Sequence, residues 1–247
     1  MTDGTRPSSP GGDGEGPAGP PILDAVNQPT LPSAGMALVV VLVVLLLLAD
    51  GEASVAVLWE AGLLTLVVAA SVLEETTPGL TLALQVAGAL GALVVVAVAT
   101  RTVDSVVALV EVLPGMVGFV LVALAVFPRT GLGSRRLLKL GSGALLLTVL
   151  VSGVLRAATL DLLVVAALGS VLVWDVGEQA ICLGEHLGRR ASTRRLEVVH
   201  AVSGGLVAGV GALAALTVRD LGTPGLPLHS FLLLVVAVLA FAVALYD

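Results

Sequence analysis

Long runs of apolar residues, separated by short polar stretches, recur along the chain after residue 33. The run ALVVVLVVLLLLA at residues 37–49 contains no polar side chain and lacks the apolar-polar alternation of the strands in a membrane β-barrel. Hydrocarbon gives an exposed backbone no hydrogen-bond partner, whereas a helix of roughly 20 apolar residues satisfies its own backbone and crosses a bilayer. The pattern therefore predicts an all-α fold, a polytopic bundle of transmembrane helices.

Eight segments have the length and the polarity of a membrane span. They lie at about residues 34–49, 54–73, 79–100, 105–127, 137–156, 159–180, 199–218 and 228–246. The first segment is the shortest, so seven spans is the alternative count. Pro114 and Gly115 interrupt the fourth segment. Because proline lacks a backbone N–H, we expect a kink there or a separate interfacial segment from Ser105 to Leu113.

The first 33 residues have a different composition. They are rich in Pro, Gly and Ser and hold few side chains that could be buried, which predicts a disordered, acidic N-terminal tail. The stretch lacks the basic start and the adjoining apolar segment of a signal peptide. The chain is therefore expected to divide into a tail at residues 1–33 and a transmembrane domain at residues 34–247.

Composition agrees with a membrane protein, and the basic residues orient it. The chain is 57% hydrophobic and 12% charged, with a mean hydropathy of +1.08. With eight spans, one side carries Arg6, Arg129, Arg135, Arg136, Lys139, Arg189, Arg190, Arg194 and Arg195, and the other carries Arg101, Arg156 and Arg219. Since Lys and Arg concentrate in cytoplasmic loops, we predict that both termini are cytoplasmic and that the protein lies in the cell membrane.

A polar stretch follows the sixth span, WDVGEQAICLGEHLGRRASTRRLEVVH at residues 174–200. An apolar stripe continues through it at helical spacing: Val173, Val176, Ala180, Leu183 and Leu187. The opposite stripe is polar: Asp175, Glu178, Cys182, Glu185 and Arg189. The spacing predicts that the sixth helix leaves the bilayer as an amphipathic stalk and ends in a basic turn, together occupying residues near 175–198.

Two interpretations of the stalk remain open. In the first, it is a solvated helical hairpin in which Glu185 and Arg189, four residues apart, form an ordinary surface ion pair. In the second, it is a docking platform whose basic residues bind anionic lipid headgroups or an acidic partner protein. The residues that would dock are Arg189, Arg190, Arg194 and Arg195.

The stalk also contains a weak metal-ligand pattern. Glu178, Cys182 and His186 follow one another at intervals of four and offer a carboxylate, a thiolate and an imidazole on roughly one helix face. That face drifts over two turns and no second ligand cluster appears. We therefore expect no bound metal and no cofactor, and we interpret Cys182 as a small residue near the membrane surface.

The second and fourth predicted spans each contain one acidic residue. Glu60 and Glu111 each lie several residues inside the bilayer, at similar depths from the same side. An ionisable group within a membrane indicates function, because burying it without compensation is costly. One interpretation is a path for a proton or cation. The other is a pair of structural ion pairs near the headgroups, with Arg101 and Arg156 as the partners.

Small residues predict close helix contacts. Gly205 and Gly209 form a GxxxG pattern in the seventh span, and Gly88 and Gly91 lie close together in the third. Such residues let helices approach in lipid, where no hydrophobic effect drives them together. They indicate a tight bundle or a homo-oligomer.

Enzyme motifs are missing from the sequence. The single lysine, Lys139, lies at the start of a span, too shallow for a retinal Schiff base. Ser142 and Ser203 lack the flanking residues of an intramembrane serine protease, and no Walker, HExxH or GxGxxG pattern occurs. We therefore expect no catalytic residue.

The stretch at residues 174–200, together with LPGMVGFVLVALAVFP before it, resembles an uncharacterised family of multi-pass membrane proteins of salt-adapted archaea. The resemblance extends over about residues 34–247. The positions that match the family pattern are Trp174, Asp175, Gly177, Glu178, Gly184, Arg194, Glu197 and His200. Members of this family tend to be encoded near MoxR-type AAA ATPases and transglutaminase-like membrane proteins. The resemblance implies a membrane component of an assembly or envelope system and implies no reaction.

Two functions follow as expectations. The first is a membrane scaffold or interaction subunit whose stalk and basic turn recruit an AAA-type ATPase or another protein, with membrane lipids as further partners and no nucleic acid. The alternative is a small transporter or channel that uses Glu60 and Glu111. The concentration of polar residues outside the spans favours the first, and so does the lack of a second broken span.

Overall fold

The computed structural model describes residues 29–73, 78–102, 106–128, 133–156, 158–187 and 194–220, and all regular structure in these ranges is α-helical. The helices are α1 (Leu31–Leu48), α2 (Glu52–Leu73), α3 (Pro78–Thr102), α4 (Val106–Val126), α5 (Arg135–Leu155), α6 (Leu160–Leu187) and α7 (Arg194–Asp220). Each of the seven is long and apolar enough to cross a membrane. The all-α prediction and the first seven predicted spans are therefore confirmed.

Two predicted segments fall outside the described residues. The eighth span, at residues 228–246, is one, and residues 1–28 of the tail are the other. At the junction of tail and membrane domain the structure differs from the sequence boundary. Helix α1 begins at Leu31, with Pro32 in its first turn, and Thr30 and Ser33 are buried. Proline fits the first turn of a helix because the N–H it lacks would have no partner there.

Helix α4 runs without interruption through Pro114. The expected separate segment from Ser105 to Leu113 is therefore wrong. Neighbouring helices within a membrane bundle compensate the hydrogen bond that a proline removes. Both sides of the proline are packed, since Glu111, Val112, Gly115 and Met116 are all buried.

Glycines set the closest helix contacts. A Cβ atom at Gly118 of α4 would lie 2.7 Å from the carbonyl oxygen of Gly141 in α5, and one at Gly88 of α3 would lie 2.8 Å from that of Leu63 in α2. The backbones of two helices can come this close only where no side chain lies between them. Helix α1 packs mainly on α6, and its buried face joins α4 in the central core.

Helix α7 is the least covered of the described helices. It contacts α6 and α1, and between residues 195 and 217 only Glu197 is buried. A Cβ atom at Gly205 or Gly209 would meet no atom of the described residues within 4 Å. The predicted GxxxG face of α7 is thus open in the described part of the chain, and its role in an oligomer stays a prediction.

Candidate functional site

The ion pairs among the described residues form two clusters, one at each end of the bundle. We name the ends after their arginines. At the Arg135 end lie the starts of α1, α5 and α7 and the last turns of α6. At the Arg156 end lie the last turns of α1 and α5 and the first turns of α2 and α4.

Arg135 joins α5 to the stalk of α6. Its Nε donates to Glu178 Oε1 at 2.5 Å, and its Nη2 donates to Glu185 Oε2 at 2.8 Å. Ser134 precedes it as the N-cap of α5 and accepts the backbone N–H of Leu137 at 3.3 Å. The polar stripe of the stalk therefore faces the start of α5. Glu185, which the sequence paired with Arg189, has its described partner on another helix, while Arg189 lies outside the described residues.

Glu197 of α7 binds the start of α1. Its Oε2 accepts the backbone N–H of Ser33 at 2.8 Å and the hydroxyl groups of Ser33 and Thr30 at 2.6 and 2.9 Å. Thr30 is the N-cap residue of α1, yet its side chain makes no capping bond of its own. A carboxylate from a distant helix thus satisfies a free N–H of the first turn, where negative charge also complements the helix dipole.

Two further contacts hold the same end together. His200 Nε2 of α7 lies 3.1 Å from Asp175 Oδ2 of α6. The backbone N–H of Thr30 donates to the carbonyl oxygen of Ala180 at 3.0 Å, which fixes the residue before α1 against the stalk. Val173, Val176 and Ala180 of the predicted apolar stripe are buried.

The family-like positions are used in these helix contacts. Asp175, Glu178, Glu197 and His200 each bind a different helix. Gly177 is buried, and a Cβ atom there would lie 2.6 Å from Leu138 Cδ1 of α5. Trp174 packs against the central core and Gly184 is buried. The sequence identified these positions without their partners. It did not identify Thr30, Ser33 and Arg135 as partners, because they lie far away along the chain.

The predicted docking arginines are described only in part. Arg189 and Arg190 lie outside the described residues, Arg194 is the first residue of α7, and Arg195 is exposed. Their docking role stays a prediction. Arg136 and Lys139, in the first turns of α5, are also exposed at this end.

Glu178, Cys182 and His186 do not converge. The carboxylate of Glu178 binds Arg135, whereas Cys182 Sγ lies 3.8 Å from His186 Nδ1. No group of three metal-ligating side chains occurs among the residues with described positions.

The second cluster surrounds Glu111 at the Arg156 end. Glu111 is 1% exposed, and its Oε1 accepts Ser152 Oγ at 2.5 Å and Arg156 Nη1 at 3.1 Å. The same Nη1 donates to the carbonyl oxygen of Leu48 at 2.8 Å, and Nη2 forms an ion pair with Asp50. Arg156 therefore compensates a buried carboxylate and the free carbonyl end of α1 together. This pairing is one of the two alternatives that the sequence left open for Glu111.

Glu60 has a different environment. It is 0% exposed, and neither of its carboxyl oxygens has a hydrogen-bond partner within the described structure. Arg101, the other arginine considered as a partner, is exposed at the end of α3 and pairs with neither glutamate in the described ranges. The two intramembrane glutamates thus do not form one site.

The seven membrane-length helices in the described part of the chain define a multi-pass membrane protein. The chain belongs to a family of unknown function, DUF7519, whose profile matches residues 81–242, more than half of its length. The match begins in α3 and includes both the stalk and Glu197. No curated protein and no solved structure matches the chain significantly.

Proposed function

We propose that the protein is a membrane scaffold that presents its Arg135 end to a soluble partner on the cytoplasmic side of the cell membrane. One observation carries the proposal. Polar residues of the stretch at 174–200 link four helices. Glu178 and Glu185 of the stalk bind α5, and Asp175 of the stalk contacts α7. Glu197 of α7 binds the start of α1. These contacts fix a surface, and we assign no reaction to the protein.

The length of α6 supports a platform outside the bilayer. Its 28 residues extend about 42 Å at 1.5 Å per residue, which exceeds a hydrocarbon thickness of about 30 Å by roughly two helical turns. Of the two glutamates that bind Arg135, Glu185 lies on these last turns and Glu178 lies just before them. The stalk is therefore braced by α5 along its projecting part.

Charge supports an acidic partner. Arg136, Lys139 and Arg195 are exposed around the braced stalk, and the basic turn supplies the predicted docking residues Arg189, Arg190 and Arg194. Such a surface attracts anionic lipid headgroups as well as acidic proteins. The sequence resemblance points to an AAA-type ATPase as the partner protein, in an assembly or envelope system of salt-adapted archaea.

The environment of Glu111 argues against the transport alternative. A shared path would require Glu60 and Glu111 to face one polar cavity, whereas Glu111 is ion-paired to Arg156 and closed off at 1% exposure. A buried pair of this kind holds helix ends together.

Crosslinking and affinity capture from native membranes test the proposal. The full chain is compared with a variant carrying Arg189→Ala, Arg190→Ala, Arg194→Ala and Arg195→Ala, and with a control carrying Arg101→Ala and Arg219→Ala at the opposite end. We expect the wild type and the control to capture an AAA-type ATPase and the fourfold variant to lose it. Equal capture by all three proteins, or capture by none, would contradict the docking proposal.

A second arm separates protein from lipid. The purified protein is reconstituted in vesicles of neutral lipid and in vesicles containing anionic lipid, and ATPase binding is measured in each. Binding that persists in neutral vesicles and weakens with added salt indicates direct contact with the basic residues. Binding seen only in anionic vesicles would assign the recruitment to lipid.

A further inference from the structure

Glu60 occupies a core position of α2. The buried residues of this helix include Val57, Leu64 and Val67, and Glu60 follows their spacing of three and four. A carboxyl group therefore takes the place of an apolar side chain in the interior of the bundle. It is completely buried, and both oxygens are without a partner in the described ranges.

The helices around α2 offer no compensating charge. Helix α2 packs on α1, α3 and α4. Charged residues on these three helices are limited to Arg101, which is exposed, and Glu111, which is bound to Arg156. On α2 itself the other acidic residue is Glu52, exposed in the first turn. An ionised Glu60 would thus be uncompensated in hydrocarbon, which is costly.

A site with a single carboxyl group can bind a proton but offers too few ligands for a divalent metal ion. Calcium and magnesium require six or more oxygen ligands, and no cluster of three acidic, histidine or cysteine side chains exists in the described structure. A proton needs only one carboxylate oxygen. We propose that Glu60 is a proton-binding site inside the membrane domain, reached from the Arg156 end along a groove between α2 and α3.

The groove lies between α2 and α3 and is lined by Trp59, the residue before Glu60. It is about 420 Å³ in volume, and its α2 wall is formed by Glu52, Val55, Ala56 and Trp59. Glu52 and Ala56 lie eight and four residues before Glu60, on the two helical turns that precede it. The opposite wall is Val94, Val95, Val98 and Ala99 of α3. On α2 the groove extends from the exposed Glu52 to Trp59, which directly precedes the buried Glu60.

This inference does not depend on the docking proposal. Its test is labelling of the full chain, in sealed vesicles, with dicyclohexylcarbodiimide, which adds covalently to a protonated carboxyl group in an apolar environment. Mass spectrometry of peptides locates the adduct. We expect an adduct on Glu60, its loss in Glu60→Gln, and none on Glu111, whose carboxylate is held by Arg156. An unlabelled Glu60, or equal labelling of Glu111, would overturn the proposal.

The side of access is tested by changing the pH of one compartment at a time. Because the protonated acid is the reactive form, raising the pH of the compartment at the Arg156 end should lower labelling of Glu60. The same change at the Arg135 end should leave it unchanged. A response to the Arg135 compartment alone would overturn access from the Arg156 end.

The groove itself is tested by filling it. Val94→Trp places an indole in the groove, while Leu90→Trp, one turn away on α3, is the matched control because the two side chains are 59% and 58% exposed. We expect labelling to slow several-fold in the first variant only. Equal rates in both variants would exclude the groove as the route.

Discussion

Glu197 joins α7 to the start of α1 at the Arg135 end. One carboxylate oxygen accepts three hydrogen bonds, from a backbone N–H and two hydroxyl groups. All four groups belong to buried residues, so water cannot replace the carboxylate if it is removed. Hydrogen bonds to charged groups contribute more than neutral ones, and unmet buried donors are costly.

We expect Glu197→Ala to lower the free energy of unfolding by roughly 3 kcal/mol, because it leaves these donors without an acceptor. Glu52→Ala, at an exposed position in the first turn of α2, is the control and should change stability by less than about 0.5 kcal/mol. Denaturant titration of the purified protein in micelles measures both. Similar stability of the two variants would show that Glu197 does not hold α1.

Gly141 and Gly143 provide a matched pair on α5. A Cβ atom at Gly141 would lie 2.9 Å from the backbone oxygen of Gly118, whereas one at Gly143 meets nothing described within 4 Å. Gly141→Ala should therefore destabilise by about 1–3 kcal/mol through a forced backbone shift. Gly143→Ala should be neutral or stabilise by up to about 1 kcal/mol through helix propensity. Thermal unfolding of both variants measures the difference, and equal melting temperatures would refute the close contact of α4 and α5.

At the level of single residues, the sequence indicated which polar residues deserve attention more readily than it indicated which residues they contact. Polar residues in an apolar chain are conspicuous, which is how Glu60, Glu111 and Glu197 were selected. Their partners depend on which helices meet. Ser33 and Glu197 are 164 positions apart, and local spacing contains no information about such a contact. The pairing of Glu111 with Arg156 was foreseen as an alternative because both had to lie near the same face of the membrane.

Among the elements, α5 and α6 show how a stalk can be stiffened. Arg135 contacts two glutamates that lie seven residues apart on α6, two turns along one face. The arginine side chain is 42% exposed and the glutamates are 17% and 26% exposed, so solvent screens the pairs and each contributes modestly.

Arg135→Gln should therefore lower stability by only about 1 kcal/mol. In the Arg135→Gln background, Glu178→Gln should have almost no further effect, because the two residues share one interaction. Raising the salt concentration should shrink the effect of Arg135→Gln. A double-mutant cycle at two salt concentrations measures these values, and a coupling energy of zero would mean that the ion pair does not brace the stalk.

The apolar pattern predicted the helices well, but of the two effects it offered for Pro114 the separate segment was wrong. The spans could be recognised because lipid requires each of them to have a minimum length and a low polarity. The effect of Pro114 could not, since it depends on the packing of α4 against its neighbours. The long sixth helix was foreseen because its apolar stripe kept a helical period beyond the span.

For the whole molecule, the single cysteine gives a direct test of orientation. The chain contains one cysteine, and Cys182 is exposed on the stalk. The positive-inside asymmetry of the sequence predicts that the stalk lies in the cytoplasm. A membrane-impermeant maleimide should therefore label Cys182 in inside-out vesicles and leave it unlabelled in intact cells.

A variant with Cys182→Ser and Glu52→Cys carries the thiol at the Arg156 end and should show the reverse labelling. Labelling of wild-type protein in intact cells would reverse the predicted topology and move the docking surface outside the cell. The eighth predicted span lies after residue 220, so it affects only the side on which the C-terminus lies. The labelling of Cys182 therefore tests the orientation of the stalk whether or not the eighth span exists.

The hydrogen bonds of Glu197 to Thr30 and Ser33 also have a consequence for biogenesis. Helix α1 leaves the ribosome early, but the acceptor for its first turn is synthesised more than 160 residues later. Until then the start of α1 lacks its native partner, and water, lipid headgroups or an insertion factor must accept its N–H and hydroxyl groups. Nascent chains arrested before residue 194 should therefore expose this end to protease, and chains extended past α7 should protect it.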